Sequence, residues 1–179
     1  MKPIAPILAV LALSACAMPP PEKGDVVPAR ALIAAQPKPV YECSNYDRLS
    51  ETCETVTKIE TRDSLWRAKG VAAYDFDGTL LRMEFTGRGR FRDTRLCADL
   101  GDVDITLPDF AGTDMGALFR AVLRAGFDGA GELCTSYFET SEPGVYREEA
   151  SLPDGTPIAG EVTTIRYFQS APKLRPMRP

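Results

Sequence analysis

Apolar and polar residues alternate with a period of two over much of the chain between residues 52 and 168. Residues 52–61 are rich in β-branched side chains and predict a strand, and a second strand opens at Leu65 after the turn Arg62-Asp63-Ser64. Three more strands are predicted in the last third of the chain, over residues 133–139, 145–150 and 161–168. The pattern therefore predicts a protein built mainly from antiparallel strands.

A two-residue turn is predicted at Asp77-Gly78, between two alternating runs. Asp-Gly is typical of a type I′ hairpin, because both central residues need positive φ. The predicted partners across the hairpin are Phe76 with Thr79, Tyr74 with Leu81, Ala72 with Met83, and Gly70 with Phe85. These pairs are nearly all apolar and share one face, so the turn and the burial pattern predict the same register.

One segment in the middle of the chain has helical periodicity. Thr113 or Asp114 can cap its start, and Gly126 lies where a C-cap belongs. The apolar stripe expected to be buried against the sheet consists of Met115, Leu118, Phe119 and Val122. We therefore predict an α+β fold: a mainly antiparallel twisted sheet with one packed helix. A sheet with so few helices must bury its second face by curling, by a second layer or by a partner.

The first residues of the chain have the pattern of an export signal. Lys2 precedes an apolar run over residues 4–13 that is too short to span a bilayer. The following Leu13-Ser14-Ala15-Cys16 resembles a lipobox, the processing signal of bacterial lipoproteins. The resemblance implies that the Cys16 thiol receives a diacylglyceryl group, that the preceding peptide is removed, and that the new amino terminus is acylated, commonly with palmitate. The alternative is a chance cysteine after an ordinary export signal or an N-terminal membrane helix.

This resemblance sets the expected organisation of the chain. Residues 1–15 are the signal peptide, 16–40 a lipidated, proline-rich tether, 41–170 a single domain and 171–179 a flexible tail. Ala17 follows the lipidated cysteine; in the best-studied bacteria, lipoproteins without aspartate there reach the outer membrane. We expect a protein anchored in the bacterial envelope and facing the periplasm, in the outer membrane rather than the inner one.

Composition narrows the function classes. The 179 residues include 25 acidic and 21 basic side chains, and a net charge of −4 argues against general nucleic-acid binding. The chain has no histidine, which removes the commonest general base and His-ligated zinc or haem. We therefore expect no cofactor, no metal and no catalysis, although an active site of scattered Asp, Glu, Ser and Tyr residues would leave no readable spacing.

Four cysteines remain besides Cys16: Cys43, Cys53, Cys97 and Cys134. In the oxidising periplasm an even number indicates disulfides, and four cysteines allow three pairings. We favour a short loop closed by Cys43–Cys53, and a Cys97–Cys134 bond that joins strands on either side of the helix. A four-thiolate metal site is the alternative, but the chain lacks C-x-x-C spacing.

The segment Asp75-Phe76-Asp77-Gly78-Thr79 also resembles motif I of the haloacid-dehalogenase-like phosphatases. The resemblance implies Asp75 as nucleophile, Asp77 as general acid and base, and a magnesium ion between them. That family also uses a lysine followed by an acidic pair, yet after Lys69 the only lysine is Lys173, and no carboxylate follows it. The hairpin is the preferred interpretation.

Two further polar segments could bind ions. Asp99, Asp102 and Asp104 are spaced somewhat like a calcium loop, although the EF-hand pattern is not met. Period-two spacing places Arg88, Arg90 and Arg92 on one strand face, a candidate site for phosphate, a lipid headgroup or an acidic polymer. The alternative is a solvated face balanced by nearby carboxylates.

These observations rank three functions. We expect a lipid-anchored, non-catalytic accessory or assembly subunit that contacts the membrane through its anchor and binds an envelope protein. The second candidate is an anionic-ligand module that uses Arg88, Arg90 and Arg92. The third is the phosphatase.

Overall fold

The structure is a computed structural model that describes residues 22–127, 131–159 and 162–177. Its strands are β1 (Val26–Val27), β2 (Val40–Ser44), β3 (Thr52–Cys53), β4 (Thr55–Arg62), β5 (Leu65–Phe76), β6 (Thr79–Arg92), β7 (Arg95–Asp99), β8 (Asp104–Thr106), β9 (Glu132–Glu139), β10 (Tyr146–Ser151), β11 (Thr163–Phe168) and β12 (Lys173–Leu174). The helices are α1 (Ala29–Ala34) and α2 (Asp114–Phe127), with 3₁₀ turns at Leu100–Asp102 and Pro108–Phe110. Within these described ranges, no helix is long and apolar enough to cross a bilayer.

Eight of the strands form a closed antiparallel barrel. The order is β9-β10-β11-β2-β4-β5-β6-β7, and β7 pairs back onto β9. The predicted α+β fold is therefore wrong: the protein is mostly β, and the sheet buries its second face by curling onto itself. Closure removes the two free edges that an open sheet would expose.

Glycines on the inward face explain how the sheet can curl so tightly. Gly70 on β5 lies against the ring of Phe85 on β6, and Gly89 on β6 lies against the indole of Trp66 on β5. A side chain at either position would occupy the space that the aromatic ring fills. Small and large residues thus alternate across neighbouring strands inside the barrel.

The predicted hairpin is confirmed. Asp77 and Gly78 have φ of 49° and 82°, and all four predicted pairs between β5 and β6 are present in the predicted register. The three strands predicted in the last third of the chain are also present, as β9, β10 and β11.

One end of the barrel is covered by α1. Ala29 and Leu32 pack with Tyr137 and Ile165 in a buried cluster, and β1 pairs with β9. The Ala29 N–H donates to the carbonyl of Thr94 at 2.8 Å, which ties the helix to the turn between β6 and β7. Residues 26–34, which lie within the segment predicted as a tether, therefore form part of the folded structure.

Two disulfides join the pairs favoured from the sequence. Cys43–Cys53 links β2 to β3, and Cys97–Cys134 links β7 to β9, where the two cysteines are direct partners in the ladder. All four cysteines are fully buried. In the segment predicted as a tail, Lys173–Leu174 pairs in parallel with Thr52–Cys53, so residues beside the first disulfide also contact the C-terminal segment.

The close approach at Gly89 makes a stability prediction. A Cβ there would lie 1.9 Å from the carbonyl oxygen of Cys97 and 2.7 Å from the Trp66 ring. Because a backbone carbonyl cannot rotate away, Gly89→Ala should lower the free energy of unfolding by about 1–3 kcal/mol in urea denaturation.

The matched control for that substitution is Gly126→Ala. Gly126 lies in α2, and a Cβ there would meet nothing within 4 Å. This change should be neutral or stabilise by up to about 1 kcal/mol, since alanine favours helix. Equal unfolding midpoints for the Gly89 variant and the wild type would contradict the close contact.

Candidate functional site

The barrel interior contains a polar cluster centred on Glu42. Alternation along β2 directs Glu42 inward with Val40, and Glu42 is only 8% exposed. The hydroxyls of Tyr137 and Tyr167 donate to the same Glu42 carboxylate oxygen, at 3.4 and 2.9 Å. The sequence pattern predicts no strand over residues 40–44 and therefore does not indicate that the Glu42 carboxylate points inward.

A second carboxyl group completes the cluster. Glu148 on β10 is the ladder partner of Tyr137, so both lie on the inner face. Burial raises the pKa of Glu42 to about 7, although the hydrogen bonds from Tyr167 and Tyr137 act in the opposite direction. Burial, together with the nearby charge of Glu42, raises the pKa of Glu148 to about 8.

This interior cluster has acid–base groups but little access. Burial, together with the nearby Glu42 carboxylate, raises the pKa of both Tyr137 and Tyr167 well above the ordinary value. Tyr137 is 2% exposed and packs against α1, which covers this end of the barrel. The cluster therefore couples the stability of the barrel to pH; it does not present groups to a large solvent-borne substrate.

The aspartates of the phosphatase-like segment lie in the hairpin turn. The Asp75 carboxylate accepts a hydrogen bond from the N–H of Gly78 at 2.8 Å, which stabilises the turn. The phosphatase resemblance implies a parallel strand that leads into a loop and helix, whereas β5 leads directly into antiparallel β6. The strand that carries Asp75 therefore does not have the structural context that the phosphatase motif requires.

The calcium-like aspartates are dispersed. Asp99 accepts from the N–H of Gly101 at 2.9 Å and caps a 3₁₀ turn, Asp102 pairs with Arg88, and Asp104 begins β8. In the part of the chain that the structure describes, no group of three or more Cys, Asp and Glu residues could hold a metal ion.

The three predicted anion-binding arginines project from the outer face of β6, and each has an acidic partner. Arg90 and Arg92 both pair with Glu132, at 3.2 and 3.1 Å, and Arg88 pairs with Asp102 at 3.4 Å. Glu132 is the first residue of β9 and reaches the arginines because β7 lies between β6 and β9. Arg90 and Arg92 thus share one carboxylate, and Arg88, which has its own partner in Asp102, borders an open concavity.

The helix predicted to be buried lies on the outside of the barrel. Thr113 is one of the two predicted caps, and it caps the helix: its hydroxyl accepts a hydrogen bond from the N–H of Gly116 at 3.1 Å. Three residues of the predicted buried stripe are instead exposed: Met115 at 61%, Leu118 at 60% and Val122 at 62%. We call these three residues the α2 stripe.

The orientation of α2 follows from one close contact. Gly116 is buried, and a Cβ there would lie 2.3 Å from the carbonyl oxygen of Phe110. The helix therefore approaches the preceding 3₁₀ turn through Gly116, and Phe119 on the same side is half-buried. This contact turns the α2 stripe toward solvent.

The fold and these surfaces define a class: a small disulfide-linked closed antiparallel barrel with an amphipathic helix left uncovered on its outside. No protein-family model, curated protein or solved structure matches the chain. Its function must accordingly be inferred from its own surfaces.

The interior carboxyls predict a pH dependence of stability. Both groups have an unfolded pKa of 4.5 and a folded pKa of about 7 or 8, so the folded state holds protons that the unfolded state loses. Their stabilising contribution is complete below about pH 4.5 and is lost as pH rises to about 8, a decrease on the order of a few kcal/mol.

Urea denaturation from about pH 4.5 to pH 8.5, on the wild type and on Glu148→Gln, measures this effect. The amide cannot ionise, so the variant should lose less stability than the wild type as the pH rises. Parallel pH profiles for the two proteins would show that Glu148 keeps an ordinary pKa.

Proposed function

We propose that the chain is a lipid-anchored, non-catalytic protein of the bacterial envelope that binds another protein through the α2 stripe. The uncovered stripe is the observation that carries the proposal. A helix with apolar residues on several sides is normally buried, and α2 buries only the side that carries Gly116. Residues at i, i+3 and i+7 are the anchors with which a helix fills an apolar groove.

The distribution of charge favours a protein groove over a membrane surface as the occupant. Helices that lie on membranes are rich in Lys and Arg on their polar face. In α2 that face carries two basic residues, Arg120 and Arg124, which lie within roughly 30° of the side opposite the stripe. Asp114 in the first turn leaves the helix with a net charge of only +1. The exposed residues Ala125 and Gly126 lie within about 60° of the centre of the stripe, and their small size permits the close approach of a partner backbone.

The anchor part of the proposal rests on the lipobox, which lies outside the described residues. Cys16→Ser removes the thiol that would carry the lipid. We expect the variant to leave the membrane fraction and appear among the soluble periplasmic proteins, whereas Cys43→Ser should remain membrane-associated. Retention of the Cys16 variant in washed membranes would contradict a lipid anchor.

Binding through α2 is testable by site-specific photocrosslinking of the full chain in the intact envelope. A photoreactive residue at Leu118 should give an adduct with one protein, and the same residue at Arg124 should not. Changing Met115→Asp in the Leu118 probe should reduce the adduct at least about tenfold, because a carboxylate would then have to enter an apolar groove.

The control is Arg120→Asp, which places the same charge on the opposite side of the helix and should leave the adduct intact. Since Met115 is exposed, Met115→Asp should keep the wild-type unfolding midpoint. Equal adducts from both sides, adducts to phospholipid alone or an adduct at twice the mass of the chain would each overturn the proposal.

A further inference from the structure

The outer face of three neighbouring strands, β4, β5 and β6, carries an open concavity with a volume of about 520 Å³. Four of its lining side chains are basic and two are acidic. The basic residues are Lys58, Arg67, Lys69 and Arg88, and the acidic ones are Glu60 and Asp102. We call this surface the cationic concavity. It carries excess positive charge on a protein whose net charge is −4.

The strand register places like charges directly opposite each other. Lys58 on β4 is the ladder partner of Lys69 on β5, and Arg67 on β5 is the partner of Arg88 on β6. Directly opposed like charges destabilise a sheet. Two such pairs in adjacent rows therefore give this face an electrostatic cost that a bound anion would relieve.

The two acidic residues offset only part of this charge. Lys58 pairs with Glu60 at 2.6 Å and Arg88 pairs with Asp102 at 3.4 Å. Arg67 lies across the ladder from Glu60, which already pairs with Lys58. Among the described residues, Lys69 has no carboxylate within ion-pair distance. Lys69 is thus the uncompensated centre of the concavity, and beside it Arg67 shares the single charge of Glu60 with Lys58.

We propose that the cationic concavity binds a phosphate-bearing anion. The guanidinium groups of Arg67 and Arg88 can each donate two parallel hydrogen bonds to phosphate oxygens, and the lysines add point charges. Thr86, the ladder partner of Lys69, supplies a neutral hydroxyl at the edge. The ligand is either a free phosphate compound or the phosphodiester of a lipid headgroup, which share this chemistry. The site does not involve α2, so it stands independently of the proposed partner protein.

Calorimetric titration of the full chain in neutral detergent tests the proposal, with inorganic pyrophosphate in one arm and short-chain phosphatidylglycerol in the other. Saturable binding in the first arm identifies a free phosphate compound, and binding in the second arm alone identifies a headgroup. In either case Arg67→Gln/Lys69→Gln should weaken binding about tenfold or more, and added salt should weaken it further.

The matched control is Arg90→Gln/Arg92→Gln, which removes the same number of charges from the same outer face. Because neither Arg90 nor Arg92 lines the concavity and both pair with Glu132, this variant should bind within about twofold of the wild type. The Arg67/Lys69 variant should keep or raise its urea midpoint, since it removes like-charge contacts, so loss of binding would not reflect unfolding.

Three results would overturn the proposal. The first is the absence of saturable binding in both arms. The second is unchanged binding by the Arg67/Lys69 variant. The third is an equal loss in the Arg90/Arg92 variant, which would mean that net charge, not the concavity, attracts the anion.

Discussion

The pairing of β7 with β9 is the constraint on which the rest of the structure depends. Four ladder pairs, from Leu96 opposite Thr135 to Asp99 opposite Glu132, join the two ends of the sheet, and the Cys97–Cys134 bond crosses the same ladder. Without the β7–β9 pairing, water would reach the inner face of the barrel, and burial would no longer favour the neutral form of Glu42. The same pairing brings Glu132 within ion-pair distance of Arg90 and Arg92.

Local features of the sequence predicted the local structure well. The Asp-Gly turn set the register of the longest hairpin, because only one register buries the apolar face and satisfies the turn. Closure of the barrel was not predictable in the same way. Period-two spacing shows which residues share a face, but not whether that face curls, and the curling depends on contacts such as Gly89 against Trp66 that join two strands.

The surfaces differ in how much the sequence reveals. Apolar spacing predicted α2, but α2 has apolar residues on more than one side, and the contact of Gly116 with Phe110 decides which side packs. The sequence pattern identified the arginines of β6, but it could not identify Glu132 as their partner, because Glu132 is distant in sequence and contacts them only once the barrel is closed. The contact between Lys58 and Lys69, by contrast, follows directly from the pairing of β4 with β5.

The packing of β1 and α1 against the barrel shortens the tether of the proposed anchor. A tether that ended at residue 40 would let the barrel explore a wide shell above the bilayer. Since β1 begins at Val26, only about ten residues separate it from Cys16, and a chain of that length spans at most about 35 Å. Diffusion of a lipid-anchored barrel would then be nearly two-dimensional. A partner would have to present its groove within about that distance of the lipid surface. Confining both proteins to this layer raises the effective concentration of each for the other.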